Sequence, residues 1–438
     1  MEQHTQNGAY VEKLSQMLRC KTVWTREGTY EAEFQRFYAL LEALFPHLHA
    51  RAERLNFGGG CFVYVIRGKN ARRNIMLMSH HDVVDGGEGW LTDPFQPVEK
   101  DGYLYGRGTL DTKTSLFGLL QAAEELLAEG YDFEGIDLYL GSSNNEEVGG
   151  DGMVLATEYF REQGIRFWAV YDEGGAITQG QIPGVTGKSA MIAVHEKSMH
   201  IYRCTAQTEK KQSAIQGLSR FITQVRKKKD QIFRGRFYPE VVDTFRLHVP
   251  HMAFPMNVLF GARWLFAPLI KRIMMGIPAA SAMLSTGLTF TTVTAGDPRE
   301  PRRQAKTAEA TLYLRCIREE ELYAGLEKLR KLGKKCGVTL EEVDRQYCPP
   351  ADPEGPAYKT LEAVIREVFP EVKVVAPYLL TAATDGRRFA QVADQVLRFA
   401  PIDMDRQQYA SVHFANECIA PSCVGESVVF YRTLIRRL

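Results

Sequence analysis

Short, almost unbroken apolar runs punctuate the first 187 residues: Phe62 to Ile66, Ile75 to Met78, Ile136 to Leu140 and Trp168 to Tyr171. Runs this brief, without polar alternation, predict strands covered on both faces. Between the second and third, Ser115 to Glu129 repeats its apolar residues at helical spacing. After Gly187 the pattern changes. Ala190 to Ala206 alternates and reads as a strand with one exposed face, Gln212 to Lys229 reads as an amphipathic helix, and Leu288 to Val293 and Ala308 to Cys316 read as further strands. From Arg318 onward helix and strand alternate again, with helical signals around Leu326, from Leu361 to Val368 and near Val428, and a strand signal at Val396 to Phe399. Strand–helix–strand repetition predicts an α/β fold, a mixed and mostly parallel sheet flanked by helices. Its two parts, 1–187 and 308–438, are expected to be interrupted by a smaller α+β domain at 188–307.

A chain of 438 residues exceeds what one core usually fills, which agrees with that division. Hydrophobic residues at 45% and charged residues at 24% are the balance of a globular enzyme. The net charge of +1 gives no bulk attraction to nucleic acid or anionic lipid, so neither is expected as a partner. Basic runs at Arg226 to Lys229 and Lys331 to Lys335 continue helical patterns and read as solvated faces. Eight scattered cysteines without a CxxC pair do not form a disulfide framework, and no apolar leader precedes the first helix signal. A reducing cytoplasm is the expected location. The most membrane-like stretch, Ala253 to Leu288, is broken by Arg263, Pro268, Lys271, Arg272 and Pro278, so no spanning helix is expected.

Four segments fall where strand signals give way to loops: Ser79-His80-His81-Asp82-Val83-Val84, Gly106-Arg107-Gly108-Thr109-Leu110-Asp111, Asn144-Asn145-Glu146-Glu147-Val148-Gly149-Gly150 and Tyr171-Asp172-Glu173-Gly174-Gly175. The carboxyl ends of parallel strands converge on one crevice, so these loops gather histidine and carboxylate side chains in one place. Crowded anions repel one another, and a divalent metal relieves that cost. Nitrogen and oxygen ligands without cysteine favour zinc, with manganese or cobalt as substitutes.

Together these segments resemble the aminoacylase/carboxypeptidase family of two-zinc metallopeptidases, which includes acetylornithine deacetylase, succinyl-diaminopimelate desuccinylase and glutamate carboxypeptidase. The resemblance adds a fifth segment, Ser411-Val412-His413-Phe414-Ala415-Asn416-Glu417. It implies a zinc-peptidase-like catalytic domain with an inserted lid, two zinc ions per chain, and hydrolysis of the amide bond of an N-acyl amino acid, dipeptide or short peptide with a free carboxylate. His80 and Asp172 would hold one ion, Glu147 and His413 the other, and Asp111 would bridge them, followed by a cis peptide. Glu146 would be the general base, and Asp82 would accept a hydrogen bond from the free ring nitrogen of His80. His81 occupies the variable place in the motif and is given no role. His195 and His200 are expected to pack or to face solvent. Arg387, in Thr384-Asp385-Gly386-Arg387, and Arg315 fall at family arginines that hold the substrate carboxylate; a structural ion pair is an equal alternative for Arg387.

The lid departs from that pattern. Its first strand is followed by Thr208-Glu209-Lys210-Lys211-Gln212, where relatives carry a histidine that reaches a partner subunit's oxyanion. The Asn-Val-x-Pro segment is replaced by Arg302-Arg303-Gln304-Ala305, and Thr112 stands where many members have methionine or aspartate. Gln212, Lys211 or Arg302 is expected to substitute, in a chain able to form a homodimer through the lid. The competing reading is a catalytically weakened metal-bound relative that holds small peptides without efficient turnover. A nucleotide-binding reading rests only on Gly58 to Gly60 and lacks a Gly-x-Gly-x-x-Gly loop.

Overall fold

The computed structural model describes residues 2–182, 184–208, 213–297, 299–300 and 302–438. Lys211 and Gln212 lie outside the described residues. A ten-stranded mixed sheet forms the larger part. Its order is Glu53–Phe57, Cys61–Ile66, Ile136–Ser142, Arg73–Met78, Phe167–Asp172, Val396–Arg398, Lys188–Glu196, Ile177–Gln179 and Asp403–Met404, with Val372–Leu380 also paired to Lys188–Glu196. The central neighbours from Ile136–Ser142 to Val396–Arg398 run parallel. Antiparallel pairs lie towards the edges.

The unbroken apolar runs follow from this burial. Along Cys61–Ile66, Phe62, Tyr64 and Ile66 enter one core while Cys61, Val63 and Val65 enter another on the opposite face. Ile75 and Leu77 part from Met76 and Met78 in the same way. Side chains alternate, but both faces are dry, so every position is apolar. The helix Lys113–Ala128 is buried along nearly its whole length between the sheet and the C-terminal helix Ser422–Arg437.

A second, antiparallel sheet has the order Gly287–Ala295, Thr307–Cys316, Ser198–Gln207, Val338–Gln346. The helices Ala214–Lys227 and Glu319–Cys336 cover one of its faces around Tyr202, Phe221, Leu312 and Leu329. The single strand read at Ala190 to Ala206 is two. Lys188–Glu196 is buried in the large sheet, while Ser198–Gln207 alternates in the second. Sheet membership therefore runs past both expected edges, 188 and 307. Val338–Gln346 escaped notice because most of its side chains are at least partly exposed, leaving little apolar signal. Between the second sheet's first two strands in sequence lies a helical excursion, Pro239–His248, Met256–Gly261, Arg263–Met275 and Pro278–Ala282, with a small core of its own around Val241, Phe260, Ile270 and Met274. Among the described residues, no helix is long and apolar enough to cross a membrane.

Candidate active site

Every chemical segment leaves the large sheet at a strand's carboxyl end or approaches it from a facing loop. His80 and Asp82 follow Arg73–Met78, Glu146 and Glu147 follow Ile136–Ser142, and Asp172 closes Phe167–Asp172. Asp111 precedes the helix Lys113–Ala128, and the Asp111–Thr112 peptide is cis. His413 lies between Arg406–Ser411 and Cys418–Ile419 with φ 64°, a left-handed conformation that histidine tolerates better than most side chains.

These loops bring His80, Asp111 and Glu147 together, each offering one donor atom within 4.8 Å of the others. His80 Nε2 lies 3.0 Å from Asp111 Oδ1. His413 Nε2 lies 2.7 Å from Asp111 Oδ2 and 3.3 Å from Glu147 Oε2. Asp111 thus stands between the two imidazoles, and His413 joins the cluster through it and Glu147. Asp172 is held differently: its Oδ1 accepts the Glu173 amide at 2.9 Å and its Oδ2 the Gly386 amide at 2.6 Å. Glycine is required at 386, because a Cβ there would meet Asp172 Oδ2 at 2.8 Å.

The contact expected of Asp82 with His80 is made chiefly by its main chain. His80 Nδ1 lies 2.9 Å from the Asp82 main-chain oxygen, with the carboxylate 3.5 Å away. That carboxylate instead accepts the amides of Glu146 and Glu147, both at 3.1 Å. One side chain thereby fixes the backbone that aims both glutamates. His81, given no role, is stacked between Phe37 and Phe62 at 5.2 and 5.3 Å, with Nδ1 2.8 Å from Ser142 Oγ. His195 and His200 are likewise buried in packing.

The charges are strongly coupled. Burial alone would lower the affinity of His80 for a proton, yet Asp111 and Asp82 hold its pKa well above the usual value. Hydrogen bonds to Asp111 and Glu147 raise His413 to about 10. Burial would raise Asp111, but His413 and His80 outweigh it and hold that carboxyl well below its usual range. Burial pushes Glu146 well above it, and burial with Asp385 pushes Asp172 up to about 6. A divalent cation would balance these carboxylates in place of protons on the histidines. Glu147 Oε1 is buried without a partner among the described residues, an orphan that such an ion would satisfy. The nitrogen-and-oxygen donor set fits zinc or a similar ion.

A model of peptidase family M20/M25/M40 matches residues 76–437. The chain belongs to that family. It is 30% identical to the mouse (Mus musculus) N-fatty-acyl-amino acid synthase/hydrolase PM20D1 over 383 residues, covering 84% of this chain and 75% of the relative. It is 25% identical to the probable carboxypeptidase S-like 2 of Dictyostelium discoideum over 425 residues, 93% of this chain and 80% of that one. The fold matches an M20 family metallo-carboxypeptidase, Sso-CP2 from Sulfolobus solfataricus, with TM-score 0.67, 16% identity and 98% coverage of both chains. This M20 chain is a metal-dependent hydrolase of the carboxypeptidase, dipeptidase or aminoacylase type.

The anion-binding candidates fare unevenly. Arg387 is buried, with Nε on Gln346 Oε1 at 2.8 Å and Nη1 on the Thr384 carbonyl at 2.5 Å. Arg315 keeps Nε and Nη2 buried and without a hydrogen-bond partner among the described residues. Arg302 is exposed on the loop between Gly287–Ala295 and Thr307–Cys316. Sequence reasoning missed Glu417 and Arg107. The Glu417 carboxylate is fully buried and accepts the amides of Gly108, Leu110 and Asp111 at 3.1, 2.7 and 3.2 Å, and Arg107 Nη1 at 2.6 Å. It also missed Glu173, which burial and the charges of Asp111 and Asp172 push well above the usual carboxylate range. The available signal was their place inside the quoted segments.

Proposed function

We propose that the chain hydrolyses the amide bond of N-acyl amino acids with a free carboxylate, with short peptides as a secondary class. Two divalent cations, zinc by preference, would be held by His80, Asp111, Glu147, Asp172 and His413. Bound there, they would acidify a water and polarise the scissile carbonyl. Glu146 takes the proton of the attacking water and returns one to the leaving amine nitrogen. The observation that carries this reading is the gathering of His80, Asp111, Glu147 and His413 beside Glu146, on a glutamate pair whose backbone is clamped by Asp82. Glu147 meets His413 within the cluster, and the neighbouring half-buried Glu146 has a carboxyl of raised proton affinity. A group so tuned can hold a proton between two steps.

Arg315, with its unpaired guanidinium nitrogens, is the better candidate for the substrate carboxylate, since two of the Arg387 nitrogens are already engaged. Exposed Arg302 would need lid closure or a second subunit to reach an oxyanion, which keeps a homodimer within the proposal. Identity to an N-fatty-acyl-amino acid synthase/hydrolase supports the acyl-amino acid class and makes long acyl chains the first to assay. The eight unpaired cysteines agree with a reducing compartment. The test is amine release from amino acids carrying acetyl to oleoyl groups, and from dipeptides, with zinc, manganese or cobalt added. Turnover that requires metal and disappears in Glu146→Gln is expected. A metal-loaded chain inert on the whole panel would refute the reading in favour of a non-catalytic binder.

A further inference from the structure

The overall charge of +1 conceals a local asymmetry. From Thr244 to Gly296 the chain holds no aspartate or glutamate, yet carries Arg246, Arg263, Lys271 and Arg272. Within that stretch sits the helix Arg263–Met275, apolar on both its faces. Ile270 and Met274 point inward to the small helical core. Leu265, Leu269 and Ile273, spaced by four residues on one line, point outward with Trp264. Trp264 is 81% exposed and Leu265 58%. Phe254 (81% exposed) and Val258 precede the helix in sequence, and Ile277 follows it, as further exposed apolar side chains. A helix that is hydrophobic all round is normally covered on every side. The run of exposed apolar side chains from Trp264 to Ile273 along one helix marks an interaction site.

We propose that this face docks the protein on an anionic lipid surface, lying in the interface without crossing it. The exposed face combines tryptophan and leucine, which can enter the acyl boundary, with arginines close by in sequence. Arg263 and Arg272 are exposed, and no acidic residue of the stretch can neutralise them. They are therefore available to lipid phosphates. Arg246, paired with Asp243, is already engaged, and Lys271 donates to the Gly235 carbonyl. A second copy of the chain is the weaker occupant. Two-fold symmetry sets a patch against itself, and this patch would bring like charges together with no acid of its own stretch to offset them. Docking does not depend on the substrate proposed above.

The experiment is flotation of the full chain with vesicles of phosphatidylcholine alone and of phosphatidylcholine mixed with phosphatidylglycerol, with tryptophan emission read in parallel. Two variants are compared: W264S/L265S/L269S and R263Q/R272Q. All substituted side chains are exposed, and circular dichroism with thermal unfolding verifies that both variants fold. The expected result is binding to the anionic vesicles with a blue-shifted emission, and binding to phosphatidylcholine at least tenfold weaker. The serine variant should lose at least tenfold in partition and the blue shift. The glutamine variant should lose severalfold, as should the unaltered chain at about 0.5 M salt, where screening is strong. Absence of flotation with either vesicle, or unchanged flotation of the serine variant, overturns the proposal. So does self-association of the unaltered chain that the serine variant abolishes, since that assigns the face to a second copy.

Discussion

Glu417 offers the sharpest test of how the site is built, because its carboxylate is fully buried and its partners are few. Its carboxylate gathers three amides of one loop and the Arg107 guanidinium, which also reaches the carbonyls of Asp85, Gly86 and His413 and lies over Trp90. Glu417→Gln keeps one oxygen for the amides but leaves the guanidinium without its counter-charge. Breaking a buried pair from one side costs about 3–5 kcal/mol. Arg107→Met leaves the carboxylate its three amides, so losing one charge-assisted contact costs about 2–3 kcal/mol. In the double variant no buried charge is stranded, and its cost should fall short of the sum by about 2 kcal/mol. Denaturant unfolding of the four metal-free proteins gives this coupling directly. Because the Glu417-bound amides include that of Asp111, Glu417→Gln should also weaken metal binding by about 10–100-fold. A coupling below about 0.5 kcal/mol, within ordinary additivity, would show that the two side chains act independently. The buried pair would then not hold the Asp111 loop.

Glu146→Gln should abolish most turnover while metal content and thermal stability stay near those of the unaltered chain, since no ligand is lost. Near-normal turnover would mean that another group moves the proton. His413, raised to about 10 by Asp111 and Glu147, carries a proton at neutral pH that a metal must displace. Zinc affinity should therefore rise with pH up to about 10, about tenfold per unit for each proton released. Titration in buffers of different ionisation enthalpy reads that release, and a pH-independent affinity would contradict it. Arg315→Ala should raise KM for acyl-amino acids at least tenfold and spare amides lacking the carboxylate, whereas Arg387→Ala should act mainly on thermal stability; the reverse pattern would exchange their roles. Arg302→Ala should lower kcat if that side chain serves the oxyanion, and unchanged steady-state rates would remove it from the reaction.

The parts legible in the sequence are those where burial is two-sided or the motif is local. Cys61–Ile66 and Arg73–Met78 announced themselves because both faces are dry. Val338–Gln346 did not, since exposed positions erase the hydrophobic signal although the pairing with Ser198–Gln207 is extensive. The junction at Lys197 was invisible for a related reason. An all-buried strand runs straight into an alternating one, and the combined pattern imitates a single long strand. The substrate preference stayed hidden because the residues around the site come from loops in distant parts of the chain.

Acidic residues posed the deeper ambiguity. In the sequence every carboxylate of the quoted segments is a possible metal ligand, and only three dimensions divide them by work. Asp111 and Glu147 face imidazoles across the cluster. Asp82 spends both oxygens on the amides of Glu146 and Glu147, and Glu417 spends its own on the loop before Asp111. Glu196 receives the Thr384 amide and the Arg398 guanidinium, while Asp172 receives the amide of Gly386. Each of these contacts ties one strand-end loop to another, so the loops are held by charge-assisted bonds in a region where water is scarce. Asp172 alone stands in both groups, fastened to two amides yet assigned to a metal by family resemblance. Carboxylates so arranged can hold their geometry before an ion arrives, and that is the condition under which Glu147 keeps one buried oxygen free for it.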